Sequence, residues 1–449
     1  MNRSSCARLT AAALSVFALS CQPSEVLEVV DPDVLNVDDY RSPQGADPLR
    51  NGVISDWQLV LAGSIDGLIV TTGNLADEIR STDTFEDRLS VSSRTAIENN
   101  PAMLGTYRSL HRVHAAADRA IPILSEFTPD KPNNIAELYA LRGLSEIFFA
   151  ELWCSGIPFS TEDGVTTTYG MPETTTQVLQ RAVASFDTAL VPAVTDARVR
   201  NIAALGKGRA LLNLGQYAAA AAAVASVPTS FKYETFHSTS ANRNENGVWN
   251  ALSVSVPRYT VIDREGTNGL NFLQSPPDPR MPWVVSTRVG FNSLHRNLPN
   301  QTKYGRTTSV IVSDGVEARL IQLEAHLQGG TQTERDSVFR GLNALRASAR
   351  AGFTPPIVPP PMAGPAPTTQ DAAVDLLFRE RAYWMWLTGH RLGDLRRLVR
   401  HYKRGAESVY PTGALAAPLV GNYGTDVNLV IPFEERNNPK FLGCLDRNA

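Results

Sequence analysis

Residues 201–224 read NIAALGKGRALLNLGQYAAAAAAV, and the spacing of their small and aromatic positions decides the fold. Gly208, Ala210, Gly215, Tyr217 and Ala220 fall where a tetratricopeptide repeat keeps its small and aromatic residues. Glycine or alanine is needed where two antiparallel helices cross closely, and a tyrosine fills the gap between them. An alanine-rich hairpin of another origin would reproduce part of this pattern. One such unit cannot bury its faces alone, so stacking is expected. Ile135 to Trp153, with Gly143 at the small position, and Val316 to Leu345 read as degenerate partners. The predicted fold is mainly α: tetratricopeptide-like helical hairpins forming a right-handed array.

Outward from this unit, apolar residues recur at helical spacing over Pro48 to Ile79 and Leu104 to Leu124, until Thr128-Pro129 breaks the pattern. Asn133-Asn134 is the expected cap of the next helix, which should end near Gly156-Ile157-Pro158. A further helix is expected over Thr176 to Leu190, and a final one over Ala372 to Arg400. Residues 229–310 differ: helical periodicity gives way to Asn, Ser, Gly, Pro and aromatics. So long an irregular stretch is functional or disordered, and Trp249, Tyr259, Phe272 and Trp283 argue for the first. Seven prolines between Pro355 and Pro367 impose an extended connector.

At 449 residues with a net charge of −3, the chain is large enough for a substantial core, and nothing in it supplies the positive field that nucleic acid requires. Arg3 and Arg8 followed by the apolar run Leu9 to Leu19 read as an export signal. Ala18-Leu19-Ser20-Cys21 reads as a lipobox, with Ala18 where Leu is usual, so Cys21 is the expected lipidation site; ordinary secretion with Cys21 incidental is the alternative. No later stretch supplies the roughly 18 uninterrupted apolar residues of a spanning helix, so membrane contact is expected through the lipid only. Cys6 leaves with the leader, so Cys154 and Cys444 are expected to pair as a disulfide in an oxidising compartment, with two separate buried thiols as the alternative. The expected organisation is a signal peptide over 1–20, a lipidated tether over 21–45, and N-terminal helices over 46–228. The loop-rich subdomain of 229–310, C-terminal helices over 311–400 and an irregular tail over 401–449 follow.

Motifs that carry catalysis are absent: there is no His-Glu-x-x-His, Gly-x-Ser-x-Gly or phosphate-binding loop, and no zinc spacing. His111 and His114 could share a metal, but with no third ligand a surface or packing role is the better reading. Asp394 has Arg391 and Arg397 three residues away on either side, an arrangement for ion pairs that lowers a carboxyl pKa instead of readying it for proton transfer. No cofactor is expected. Trp249, Tyr259, Phe272 and Trp283 are the ligand-binding candidates, because sugar rings present C–H faces that stack on aromatics while amides bond their hydroxyls. Any one of them taken singly is more often a core residue than a ligand contact.

Several ordered motifs together resemble the SusD/RagB family of outer-membrane lipoproteins. Leu141-Arg142-Gly143 with Trp153, Gly156, Ile157 and Pro158 is similar to one family helix and turn. Arg379-Glu380-Arg381 with Gly389-His390-Arg391-Leu392-Gly393-Asp394-Leu395-Arg396-Arg397 resembles its arginine-rich signature. Asp278-Pro279-Arg280, and the closing Ile431-Pro432-Phe433-Glu434 with Asn438-Pro439, complete the series. The resemblance implies a surface-exposed nutrient binder, not an enzyme, that delivers an oligosaccharide to a SusC-like TonB-dependent outer-membrane transporter. A peptide cargo, or a tetratricopeptide scaffold organising envelope proteins, are the alternatives. The matching motifs are structural by their spacing and bring no catalytic role.

Overall fold

The computed structural model of the protein describes residues 40–162, 166–350, 352 and 355–449. The expected leader and Cys21 lie outside these residues. Helix α1 (Pro43–Ala62) opens the described chain, with Ser42 accepting a hydrogen bond from the Gly45 N–H as its cap. Helix α2 (Leu68–Leu75) follows after a turn between Gly63 and Gly67, so the expected single helix from Pro48 to Ile79 is two. The break turns Asp66 outward to meet Arg88, which grips it through two hydrogen bonds.

After α3 (Glu86–Ser92), the hairpins begin with α4 (Pro101–Phe127) and α5 (Pro132–Leu152). Helices α6 (Thr175–Ala189) and α7 (Ala197–Asn213) form the second pair, and α8 (Tyr217–Ala223) packs back on α7. Asn133 does not cap α5, which starts at Pro132; its side-chain oxygen instead accepts from the N–H groups of Thr195 and Asp196, fixing the entry to α7. Thr174 and Gln177 close a capping box at the start of α6.

Phe186, fully buried, is the wedge at the centre of this array. A Cβ at Gly143 on α5 would come within 2.7 Å of its ring, and one at Gly206 on α7 within 2.2 Å. Both helices approach closely only because both positions lack a side chain. Gly208 plays the same part against Val224. Tyr217, expected to fill the gap within its own hairpin, lies at the edge instead, with its ring 6.2 Å from His401 and 6.4 Å from Tyr402. It therefore joins the repeat to the C-terminal helices.

The chain then leaves the array through an antiparallel pair, Lys232–Thr235 against Val310–Asp314, so residues 229–310 start and finish at one place. Within this excursion are α9 (Gly247–Leu252) and short antiparallel pairs, one of which sets Ile79–Ser81 against Tyr259–Val261. Helices α10 (Gly315–Leu327), α11 (Gln332–Ser348), α12 (Gln370–Trp384), α13 (Arg391–Arg400) and α14 (Ala406–Val409) complete the body. The expected helix over Ala372 to Arg400 breaks between α12 and α13, where Leu387 and Gly389 have φ of +54° and +80°. The apolar run through Trp384 and Trp386 hides this break from periodicity. The freed backbone groups are not wasted: Leu387 donates its N–H to Glu78, and Tyr304 donates its hydroxyl to the Leu387 carbonyl.

The arginine-rich signature is a buried electrostatic frame. Asp394 accepts a hydrogen bond from Arg381 at 2.8 Å and forms an ion pair with Arg397 at 2.9 Å, and Arg397 also meets Glu324 at 3.0 Å. Arg391, expected beside Asp394, pairs instead with Asp77 at 2.6 Å. Burial alone would raise the Asp394 carboxyl, but Arg381 and Arg397 outweigh it and hold it below the usual carboxylate range. Arg280 of the Asp278-Pro279-Arg280 element reaches Glu380 at 2.7 Å, so two motifs far apart in sequence touch. Arg396, without a carboxylate partner among the described residues, donates to the carbonyls of Ala150 and Trp153 and so closes the end of α5.

The tail is irregular but firmly docked. Cys154 donates its N–H to Leu429, Leu445 donates to Ser155, and Cys154 and Cys444 form a disulfide with Cα atoms 5.9 Å apart. Of the two alternatives for these cysteines, the structure has the bridge.

Candidate functional site

The three-residue pairing of Ile79–Ser81 with Tyr259–Val261 sets the next residues on each strand side by side. Thr82 donates its N–H to Arg258 and its hydroxyl to the Pro257 carbonyl, while Asn292 donates its N–H to the Thr82 carbonyl. The 290–295 loop can lie this close because a Cβ at Gly290 would come within 2.7 Å of Thr82.

Phe85 (52% exposed) and Phe291 (39% exposed) are thereby brought to one surface. Arg258 lies between them, its guanidinium carbon 3.9 Å from the Phe291 ring centre and 5.4 Å from that of Phe85. Asp83 holds that guanidinium through a 2.8 Å bond and takes a second bond from Arg88. Burial of Asp83 works against ionisation, but Arg258 and the N–H groups of Thr84 and Phe85 prevail and keep the carboxyl below its ordinary value. The result is a fixed platform of two ring faces and one cation, flanked by exposed Val256 and Leu294. Ring faces offer C–H and apolar contact; the N–H groups of Arg258 not taken by Asp83 offer donors to a hydroxyl or carbonyl.

Arg88 connects the platform to Asp66, which lines a neighbouring cleft of about 270 Å³ between α1 and α4. Leu59, Ser64, Pro101, Gly105 and Ser109 also face it.

The sequence candidates fall elsewhere. Phe272 is fully buried, 5.9 Å from the Tyr383 ring, and belongs to the core. Tyr259 is buried too, and its hydroxyl donates to Asp66 at 2.6 Å, so it supports the site from beneath. Trp283 is half-buried, with its indole N–H donated to the Gln274 carbonyl. Trp249, half-buried on α9, has the Arg306 guanidinium 5.9 Å from its ring. His111 and His114 are packing residues: His111 stacks near Tyr107 and Phe149, and His114 sits between Glu146 and Asp118. Among the described residues no group of three or more His, Cys, Asp or Glu is placed to hold a metal, and no helix is long and apolar enough to cross a membrane.

Phe85 and Arg258 were missed because nothing local marks them. Phe85 sits alone beside a short helix, 206 residues from Phe291 in sequence, and only strand pairing unites them.

The chain is built of stacked helical hairpins with a loop-rich excursion over residues 229–310 that starts and ends at one strand pair. The fold is that of the SusD superfamily. A SusD homologue from Bacteroides thetaiotaomicron superposes with a TM-score of 0.64 at 13% identity, covering 92% of this chain and 99% of that one. A SusD superfamily protein from Bacteroides vulgatus gives 0.62 at 15% identity over 90% and 99% of the two chains. A SusD-like carbohydrate-binding protein from Bacteroides fragilis gives 0.60 at 14% identity over 89% and 99%. No family model and no curated protein matches the chain by sequence. Likeness at such identities fixes the architecture and leaves the ligand to the site.

Proposed function

We propose that the protein is a lipid-anchored, surface-exposed binder that captures an oligosaccharide on the Phe85–Arg258–Phe291 platform and passes it to a TonB-dependent outer-membrane transporter, without performing chemistry on it. The observation that carries this reading is an exposed aromatic pair held rigid by a buried carboxylate. Such a surface costs little ordering on binding and suits the C–H faces of sugar rings. The named ligand class of the Bacteroides fragilis relative, carbohydrate, agrees with it.

Position on the molecule supports the same reading. Helix α4 has 27 residues, so it is about 40 Å long. At its C-terminal end Glu126 bonds Arg41, where the described chain begins; at its N-terminal end Asn100 donates to the Asp87 carbonyl beside the platform. A tether running back to a lipidated Cys21 would leave from the end opposite the ligand face.

Titration of the purified protein against a glycan array tests the proposal. Phe85→Ala and Phe291→Ala should each weaken the best glycan by about 1 to 3 kcal/mol, the range of an aromatic anchor, with unchanged helical signal. Trp249→Ala and Trp283→Ala are the comparison. Should they abolish binding while the phenylalanine variants do not, the ligand surface lies along the loop segment instead. Co-purification with a β-barrel transporter from membranes, lost in Cys21→Ser, tests the delivery step.

A further inference from the structure

A second cavity, of about 290 Å³, opens on the other side of α4 and is independent of the platform. One wall is α4, with Tyr107, Arg108 and His111; the opposite wall is the C-terminal turn with Glu434 and Glu435; Tyr169 closes a third side. The turn is held in place by Asn438, which donates to the Gly170 carbonyl, and by the disulfide-bonded tail beyond it.

The charges in this cavity are unmatched. Among the described residues neither Glu434 nor Glu435 lies within ion-pair distance of a cation, while neighbouring Arg436 is engaged by Glu98. Arg108, exposed at the rim, makes no ion pair with a described residue. Tyr107 is buried, and its hydroxyl faces Glu435 without a well-formed hydrogen bond to any described group. Burial raises the Glu435 carboxyl, and the Tyr107 hydroxyl only partly offsets this. A half-buried carboxyl against aromatic walls gains from an ammonium group, through charge and through the ring faces. Arg108, across the mouth, suits a planar carboxylate.

We infer that this cavity is a second ligand site, which takes a small zwitterion, an α-amino acid, with its ammonium group toward Glu435 and Tyr107 and its carboxylate toward Arg108. Leu104, Tyr169 and Pro432 supply apolar contact for its side chain.

Isothermal titration of the purified protein with the twenty free amino acids, then with the N-acetyl and amide derivatives of the best binder, tests this. The expected result is binding of at least one amino acid, weakened about tenfold or more by either blocking group. Glu435→Gln should erase the preference for the free amine, and Arg108→Gln the preference for the free carboxylate. Neither substitution touches the hydrophobic core, and melting curves verify that the variants fold. Phe85→Ala and Phe291→Ala should leave amino-acid binding unchanged, so this site stands or falls apart from the glycan platform. No binding by any of the twenty, equal binding of the blocked derivatives, or preferences unaltered in both variants would overturn the inference.

Discussion

Replacing Asp394 by Asn tests the buried frame most directly. Asp394 and its partners Arg381 and Arg397 are each about 1% exposed, and both ion pairs are shorter than 3 Å. Asparagine keeps the shape and removes the charge. Breaking a buried pair by removing one member costs about 3 to 5 kcal/mol, because the other is left buried and unmatched. Arg397 retains Glu324 while Arg381 keeps only Glu317, at 3.9 Å, so Arg381 bears most of the loss, and a value of about 3 kcal/mol is expected for Asp394→Asn. Urea unfolding at pH 7, followed by circular dichroism, measures it. Pairing Asp394→Leu with Arg381→Met should recover much of the stability, since an apolar pair carries no desolvation penalty. The pH dependence has a definite sign. A carboxyl whose folded pKa is depressed contributes stability above its unfolded value, near ~3.9, and loses it as pH falls through the lower folded value. The gap between the protein and Asp394→Asn should therefore stay level from pH 7 to about 5 and close only in stronger acid. A gap under about 1 kcal/mol at pH 7 would refute the electrostatic account.

Three further outcomes are expected. The Cys154–Cys444 bridge spans 290 residues, for which chain entropy gives about 5 to 6 kcal/mol as an upper bound; Cys444→Ala should lower the melting temperature and make the tail the first segment to exchange its amide hydrogens. Gly206→Ala should cost about 1 to 3 kcal/mol by overpacking against Phe186 in denaturant titrations, with part restored by Phe186→Leu. Burial, with a lesser contribution from His114, pushes the His111 imidazole down to about 3, so protonation of the unfolded chain drains stability as pH falls below the ordinary histidine value; His111→Phe should flatten that decline in melting curves between pH 6.5 and 3.

The helical framework was legible because each hairpin repeats apolar residues at a period that only a helix satisfies. The Gly143 and Gly208 positions were legible for a related reason: close crossings tolerate only small residues. The signature around Asp394 could be read as structural, since flanking arginines depress a carboxyl whatever their exact partners. Those partners could not be read. Asp77 and Glu324 lie 314 and 73 residues from the arginines they bind, and no local pattern encodes such distances. The same non-locality hid the platform, which depends on three residue pairs between Ile79–Ser81 and Tyr259–Val261. Tyr259 and Phe272 were aromatic in an irregular segment, a description that fits a core residue under a loop as well as a ligand contact.

The frame of buried ion pairs also bears on when the chain can fold. Asp77 finds Arg391 only after more than three hundred further residues have appeared, and Arg209, Glu317 and Glu324 wait likewise for His390 and Arg397. For a polypeptide delivered N-terminus first, through a ribosome tunnel or a narrow pore, Asp77 and Glu324 carry charges whose arginine partners arrive only with roughly the last eighth of the chain. Premature closure of the core around these charges is thereby penalised until α13 supplies its arginines.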